Sequence, residues 1–235
     1  MNDNYKMEDY FRAEYEAFLK GPVGWQAGHE RPRVRHVQRW VDFESRLPHG
    51  QALDLENLEE YQKLWVWSDH HFGHKNIIRF SDRPFNDLDE MREHMVANHN
   101  DYVKPDDVCI FVGDFAFLPD EKANEILHRM QGYKILVIGN HDWNKKKVKK
   151  LHFDETHLIK HIWKDGMDFV FTHYPMGTDV LIEPFFNVHG HEHVAHTYTD
   201  TLQHFNVNVE FTGFRPKLFQ DIVDQAEMRK ESMGE

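Results

Sequence analysis

Three short runs, Leu64–Trp67, Val108–Val112 and Lys134–Ile138, constrain this chain more than any other feature, because each stops abruptly on a cluster of polar side chains. Four or five mostly apolar residues are too few for a helix and enough for a strand buried on both faces. The polar clusters are Ser68-Asp69-His70-His71-Phe72-Gly73-His74, Gly113-Asp114 and Gly139-Asn140-His141-Asp142. Amphipathic segments at 88–103 and 120–130, the second with Pro119 at its start, separate the runs. Strands alternating with helices predict an αβ arrangement, and in αβ sheets the carboxyl ends of the strands are where ligands bind.

The second half of the chain adds Leu158–Trp163 and Phe169–Thr172 around Asp165-Gly166, a hairpin signal. Two further polar clusters follow, Thr172-His173-Tyr174-Pro175 and His189-Gly190-His191-Glu192-His193. Phe205–Val209 reads as a strand and Pro216–Met228 as a closing helix. The later strands are expected to pair as hairpins, giving mixed sheets. Residues 1–62 differ in character. They hold a helix-like segment, Met7–Lys20, stopped by Gly21-Pro22, then Arg31, Arg33, Arg35 and Arg39, then an acidic stretch from Asp42 to Glu60. We read 1–62 as an N-terminal helix and irregular arm, its arginines either binding phosphate or, in preference, pairing with the acidic stretch that follows, and 63–235 as the main domain.

Composition narrows the function. The 235 residues suit one domain with an appendage. Net charge is −12, from 28 Lys+Arg against 40 Asp+Glu, which opposes bulk electrostatic binding to nucleic acid. No apolar run nears the roughly 20 residues that span a bilayer. The first residues are too charged for a signal peptide, and the single cysteine, Cys109, forbids an intrachain disulfide; a cytoplasmic protein is expected. Cys109 lies in an apolar strand and reads as a buried, inert thiol. Histidine is abundant, at 19 residues, and most sit outside the clusters.

The clusters hold Asp, His and Asn but no Cys, a nitrogen and oxygen donor set that disfavours a structural zinc site. Two carboxylates, four or more imidazoles and an amide exceed what one ion needs. They suit two ions about 3.5–4 Å apart. Gly113, Gly139 and Gly190 let the backbone turn at a crowded site.

The five motifs, D-x-H at Asp69 and His71, G-D at Gly113-Asp114, G-N-H-D at 139–142, H-Y-P at 173–175 and G-H-x-H at 190–193, resemble in order those of the calcineurin-like metallophosphoesterase superfamily. The string SDHHFGHKNII, followed by Arg83-Pro84-Phe85, is similar to a branch of small bacterial and phage-encoded members. The resemblance implies an α/β fold of two packed mixed β-sheets flanked by helices, a four-layer α-β-β-α sandwich. It implies that Asp69, His71 and His193 hold one metal, that Asn140, His173 and His191 hold the second, and that Asp114 bridges them. His141 would then donate a proton to the leaving oxygen. Two divalent ions neutralise a phosphoryl group and lower the pKa of a bridging water, whose hydroxide attacks in line.

The implied function is a dinuclear metal-dependent phosphohydrolase acting on a phosphodiester or phosphomonoester, small or nucleotide-like. Mn²⁺ is the first expectation for the ions, with Fe, Ni or Zn as alternatives. Protein phosphatases of the superfamily carry G-D-x-x-D-R-G, whereas Phe117 and Leu118 stand here in place of the second Asp and the Arg. His74, Asn76 and Arg79 are the nearby candidates for lining the phosphate pocket, with Asn76 equally placed to cap a helix. His70 is expected to face away from the metals and His189 to be structural. The lysines at 145–147, 149 and 150 read as a solvated face, or as a guide for an anionic substrate. Two other functions stay open: a metal-dependent nuclease, and a non-catalytic scaffold on the same fold.

Overall fold

The computed structural model describes residues 55, 58, 62–142, 150–176, 185–193 and 201–233. The features read at Met7–Lys20 and Arg31–Arg39, and the lysines at 145–149, lie outside these residues. In chain order the elements are β1 (Leu64–Trp67), α1 (Ile77–Phe80), α2 (Leu88–Tyr102), β2 (Val108–Phe111), α3 (Asp120–Arg129), β3 (Tyr133–Val137), β4 (Glu155–His157), β5 (Lys160–Lys164), β6 (Met167–Thr172), β7 (Phe185–His189), β8 (His204–Asn206), α4 (Val209–Thr212), β9 (Lys217–Leu218) and α5 (Phe219–Met233). They build two mixed sheets with helices against them. One sheet has the order β4-β3-β2-β1-β9 and the other β5-β6-β7-β8.

In the first sheet β1 to β4 are parallel, and β9 adds antiparallel to β1. Strands β1 and β2 are buried at every position, as continuous apolar runs require. The period of two sorts their side chains. Trp65, Trp67, Cys109, Phe111 and Leu136 pack on one face with Met91, Met95, Ala123 and Leu127 from α2 and α3. Val66, Val108, Ile110, Ile135 and Val137 pack on the other face with Phe169, Phe171, Phe186, Val188 and Phe205 of the second sheet. Asp87 starts α2, its Oδ1 accepting from the N–H groups of Asp89 and Glu90 at 2.9 and 2.8 Å. Asp107 ties the entry of β2 to β1, accepting from the Lys63 N–H and the Trp65 indole at 2.9 and 3.0 Å.

Asp165 and Gly166 both have positive φ, 51° and 75°, so the β5–β6 hairpin turns as its sequence predicts. The later strands otherwise differ from the hairpins expected of them: β6, β7 and β8 run parallel. The links 173–184 and 190–203 are long enough for the crossovers that parallel pairing needs. Strand β8 stops at Asn206 rather than Val209. Asn208 breaks it by accepting from the Glu210 N–H at 3.1 Å and starting α4. Lys217 and Leu218, expected in the closing helix, instead pair with Val66 and Trp65 as an edge strand.

Helix α5 then buries Phe219, Ile222, Val223 and Ala226 in the core between the sheets. Leu55, 8% exposed, and Leu58 pack into that same core. No helix among the described residues is long and apolar enough to cross a membrane.

Candidate metal centre

The loops after β1, β2, β3, β6 and β7 meet at one end of the sandwich, and backbone bonds lace them together. The Asp69 N–H donates to the Gly113 carbonyl at 3.1 Å, the His71 N–H to Asp114 at 3.0 Å and the Gly190 N–H to His173 at 3.0 Å. Such close approach costs local strain. Asp69, His71, Asp114 and His191 all adopt positive φ, between 53° and 66°. Two glycines make the approach possible. A Cβ on Gly190 would lie 2.0 Å from Ser68 Oγ and 2.2 Å from Asp69 Oδ2, and one on Gly139 would lie 2.3 Å from Asp114 Oδ1.

Around this backbone the donor atoms converge. His71 Nε2 lies 3.2 Å from His193 Nε2, and both face Asp69 Oδ1, at 3.6 and 3.5 Å. Asp114 Oδ2 lies 3.6 Å from His71 Nε2 and 3.4 Å from His173 Nε2. Two groups are therefore compact enough to hold an ion, Asp69-His71-His193 and Asp69-Asp114-His173. Asp69 Oδ1 is buried and accepts no hydrogen bond among the described residues. An unsatisfied buried carboxylate oxygen is costly unless a cation sits against it. Asp69 Oδ2, by contrast, accepts from Ser68 Oγ and from the His191 N–H.

The electrostatics describe a centre that attracts positive charge. Burial raises the Asp69 carboxyl pKa, but His173, His193 and His71 outweigh it and hold the group well below its ordinary value. Asp114 is likewise held low against its burial, chiefly by His173. Burial opposes protonation of His173, yet Asp114 and Asp69 push its pKa up to about 10. His193 rises against burial to about 9, through Asp69 and Glu210. Protons on these imidazoles do here what a metal cation does in a loaded site. His173 has its tautomer set by a 2.9 Å bond from Nδ1 to the Val112 carbonyl, which leaves Nε2 facing Asp114 and Asn140 Oδ1, the latter at 2.9 Å.

Behind these side chains stand residues that sequence reasoning did not assign. Asp142 is buried, and its two oxygens accept from the N–H groups of Asp114, Gly139 and Phe115 at 2.6, 3.0 and 3.1 Å. It locks the β2 and β3 loops together; the signal was present as the last letter of G-N-H-D. Burial and the nearby Asp114 push its pKa up to about 6. Glu210 accepts from His193 Nδ1 at 3.0 Å and from Arg83 Nε at 2.8 Å. Arg83, also buried, donates to the carbonyls of Asp69 and His70 at 2.7 and 2.8 Å. No local pattern could have joined Arg83 to a glutamate 127 positions away.

The expected residues do not all sit alike. His141 is half exposed, its Nε2 3.9 Å from Asp114 Oδ2 and its N–H donating to Asp114 Oδ1 at 2.9 Å. Its ring centroid is 4.6 Å from Phe117. His191 packs tilted against Tyr174 at 4.0 Å and stands 5.2 Å from His173, outside both compact groups. His74 borders the centre, 5.7 Å from His71 ring to ring. Asn76 and Arg79 are exposed; Asn76 precedes α1 without a side-chain cap bond, and Arg79 lies over the Phe80 ring at 5.3 Å. His70 turns away, buried against Trp67 and Phe111. His189 is buried with Nδ1 2.9 Å from the Gly190 carbonyl.

Known proteins similar to this chain were found by sequence and by structure. An uncharacterized protein of Methanocaldococcus jannaschii, MJ1445, is 28% identical over 176 residues, 72% of this chain and 94% of its own. A solved structure from Aquifex aeolicus, the protein of unknown function AQ665, has a TM-score of 0.58 at 26% identity, covering 69% of this chain and 98% of its own. The E. coli phosphoesterase YfcE aligns at 21% identity over 63% of this chain and 78% of its own, with a TM-score of 0.36. The pattern that defines the calcineurin-like phosphoesterases matches residues 62–231. The chain belongs to the calcineurin-like phosphoesterase family, and is by that membership a metal-dependent hydrolase of phosphoesters.

Proposed function

We propose that the protein is a dinuclear phosphohydrolase, cleaving a small or nucleotide-like phosphomonoester or phosphodiester. The observation that carries this reading is the unsatisfied, buried Asp69 Oδ1 facing two imidazole nitrogens 3.5 and 3.6 Å away. The donor set fits divalent ions of the Mn, Fe, Ni and Zn kind, with Mn²⁺ the first choice. Asp69, His71 and His193 are assigned to one ion, Asn140, His173 and His191 to the other, and Asp114 to both. When bound, two such ions neutralise phosphoryl oxygens and lower the pKa of bound water.

The remaining work falls to the chain. Glu210 orients His193 through Nδ1, and the Val112 carbonyl orients His173, so each presents Nε2 to the centre. Arg83 fixes Glu210 and the Asp69 backbone together. Asp142 holds the Asp114 backbone. His141 stands over Asp114 with an exposed ring, placed to supply a proton to the leaving oxygen. His74, Asn76 and Arg79 are assigned to the lining of the approach to the phosphate.

The test uses metal-stripped protein refilled with Mn²⁺, assayed on p-nitrophenyl phosphate and bis-p-nitrophenyl phosphate. Turnover that needs metal and disappears in His191→Ala is expected. Absence of turnover across Mn, Ni, Fe and Zn would reject the reading and favour a binding scaffold. The diester-to-monoester ratio assigns the ester class.

A further inference from the structure

Six large hydrophobic side chains are exposed among the described residues, and two of them, Phe80 at 63% and Phe117 at 38%, stand beside the candidate centre. They are not isolated. His74 connects them, with its ring centroid 4.5 Å from Phe117 and 6.2 Å from Phe80. Inward, Phe117 is stacked 5.4 Å from His71 and tilted 4.6 Å from His141. An unbroken row of rings thus runs from solvent to a metal-ligand candidate and to the proton-donor candidate. Across the centre, Tyr174 covers His191 at 4.0 Å, so aromatic rings stand on both sides.

The row also explains a departure in the sequence. Phe117 stands where the protein phosphatases carry the second Asp of G-D-x-x-D-R-G. A ring there gives neither charge nor hydrogen bond to a phosphate. It offers a partly exposed apolar ring surface beside His71 and His141. Exposed aromatic surface of this kind lowers its free energy by taking a second flat ring against it. The guanidinium of Arg79, over Phe80 at 5.3 Å, adds a cation at the outer end of the row. A sugar phosphate or alkyl phosphate would leave the rings in water. A phosphoester that carries a heteroaromatic base would cover them.

We propose that Phe117, His74 and Phe80 form a stacking wall for the base of a nucleotide-type phosphoester, and that this wall makes the site select nucleotides over sugar phosphates. The inference rests on the phosphoesterase reading above and names its substrate class. Base-on-aromatic stacking is tolerant of base identity, so preference among bases is weak and preference for having a base is strong.

The experiment measures binding to the metal-loaded full chain by calorimetry. The probes are the phosphonate isosteres of adenosine 5′-monophosphate and of ribose 5-phosphate, whose C–P bonds resist hydrolysis. The wild type is expected to bind the nucleoside phosphonate roughly 10-fold or more tightly than the ribose phosphonate, the difference being the base on the wall. Phe80→Leu and Phe117→Leu should each reduce that ratio by about 3- to 30-fold, with ribose phosphonate binding held within about two-fold. Phe117→Trp should restore the ratio. Phe80 is exposed, so its substitution leaves the core intact.

Equal binding of the two phosphonates by the wild type, or a ratio untouched by both Leu substitutions, overturns the stacking wall while leaving the phosphoesterase reading in place. Failure of both phosphonates to bind, together with no hydrolysis of any ester, removes the phosphoesterase reading and the wall with it.

Discussion

Gly190 shows how little freedom single residues have at this centre. Its missing side chain is the space that Ser68 Oγ and Asp69 Oδ2 occupy. Gly190→Ala is therefore expected to displace Asp69 and abolish metal-dependent turnover, read as loss of bound metal by elemental analysis. Glu210→Gln should keep the fold but loosen His193, weakening metal binding about 10- to 100-fold in a metal titration, the range seen when such outer partners are lost. His141→Ala should slow turnover by about 10²–10⁴-fold with metal content unchanged, and most for poor leaving groups.

Asp69, His71, Asp114, Asn140 and His141 could be picked out in the sequence because each follows a legible apolar strand. Arg83 and Glu210 were not assigned, because their pairing exists only once α4 folds beside β1. Buried neutral histidine is a third residue-scale consequence. His99 packs against Trp67 and Phe111, donating from Nε2 to the Gln131 carbonyl at 2.8 Å. Burial pulls its pKa from 6.5 to about 4, so it contributes stability above pH 6.5 that is lost as pH falls toward 4. That loss amounts to about 3 kcal/mol. Denaturant unfolding of His99→Gln should show a shallower decline across that window than the wild type.

Elements obeyed local signals where those signals were strong. The β1 and β2 runs, the α2 and α3 helices and the Asp165-Gly166 turn lie within a residue or two of where their sequences place them. The parallel arrangement of β6, β7 and β8 could not be read locally. Strand direction is set by how each link crosses the sheet, and Asn187 and His204 carry polar side chains that blur the strand pattern. Asn187 is nevertheless satisfied inside the fold, donating to the Val170 carbonyl and Thr172 Oγ1 at 2.9 and 2.8 Å. Leu55 and Leu58 likewise show their place only through packing. Leu55→Ala should destabilise the protein by about 2 kcal/mol, read as a lower denaturant midpoint with unchanged slope. No change would mean that the segment before residue 62 adds nothing to the core.

At the scale of the whole molecule, the fold brings carboxylates and imidazoles together at a cost that cations offset. In the metal-free protein His173 and His193 take up protons, with pKa values of about 10 and about 9 against an ordinary 6.5. Their contribution to stability is full below pH 6.5 and is lost as pH rises through 9 and 10. Metal displaces those protons, so loaded protein should keep its stability across that alkaline range and metal binding should release protons at neutral pH. Calorimetric titration in buffers of different ionisation enthalpy reads the release. Chelation should lower the melting temperature, since a site at 100-fold saturation adds about 2.7 kcal/mol.

Sharing of Asp114 by two ions, as proposed, would give two anomalous-scattering peaks in a crystal loaded with Mn²⁺, one among Asp69, His71 and His193 and one beside His173, with the Asp114 carboxylate reaching both. A single peak, or a pair that Asp114 does not touch, would contradict it.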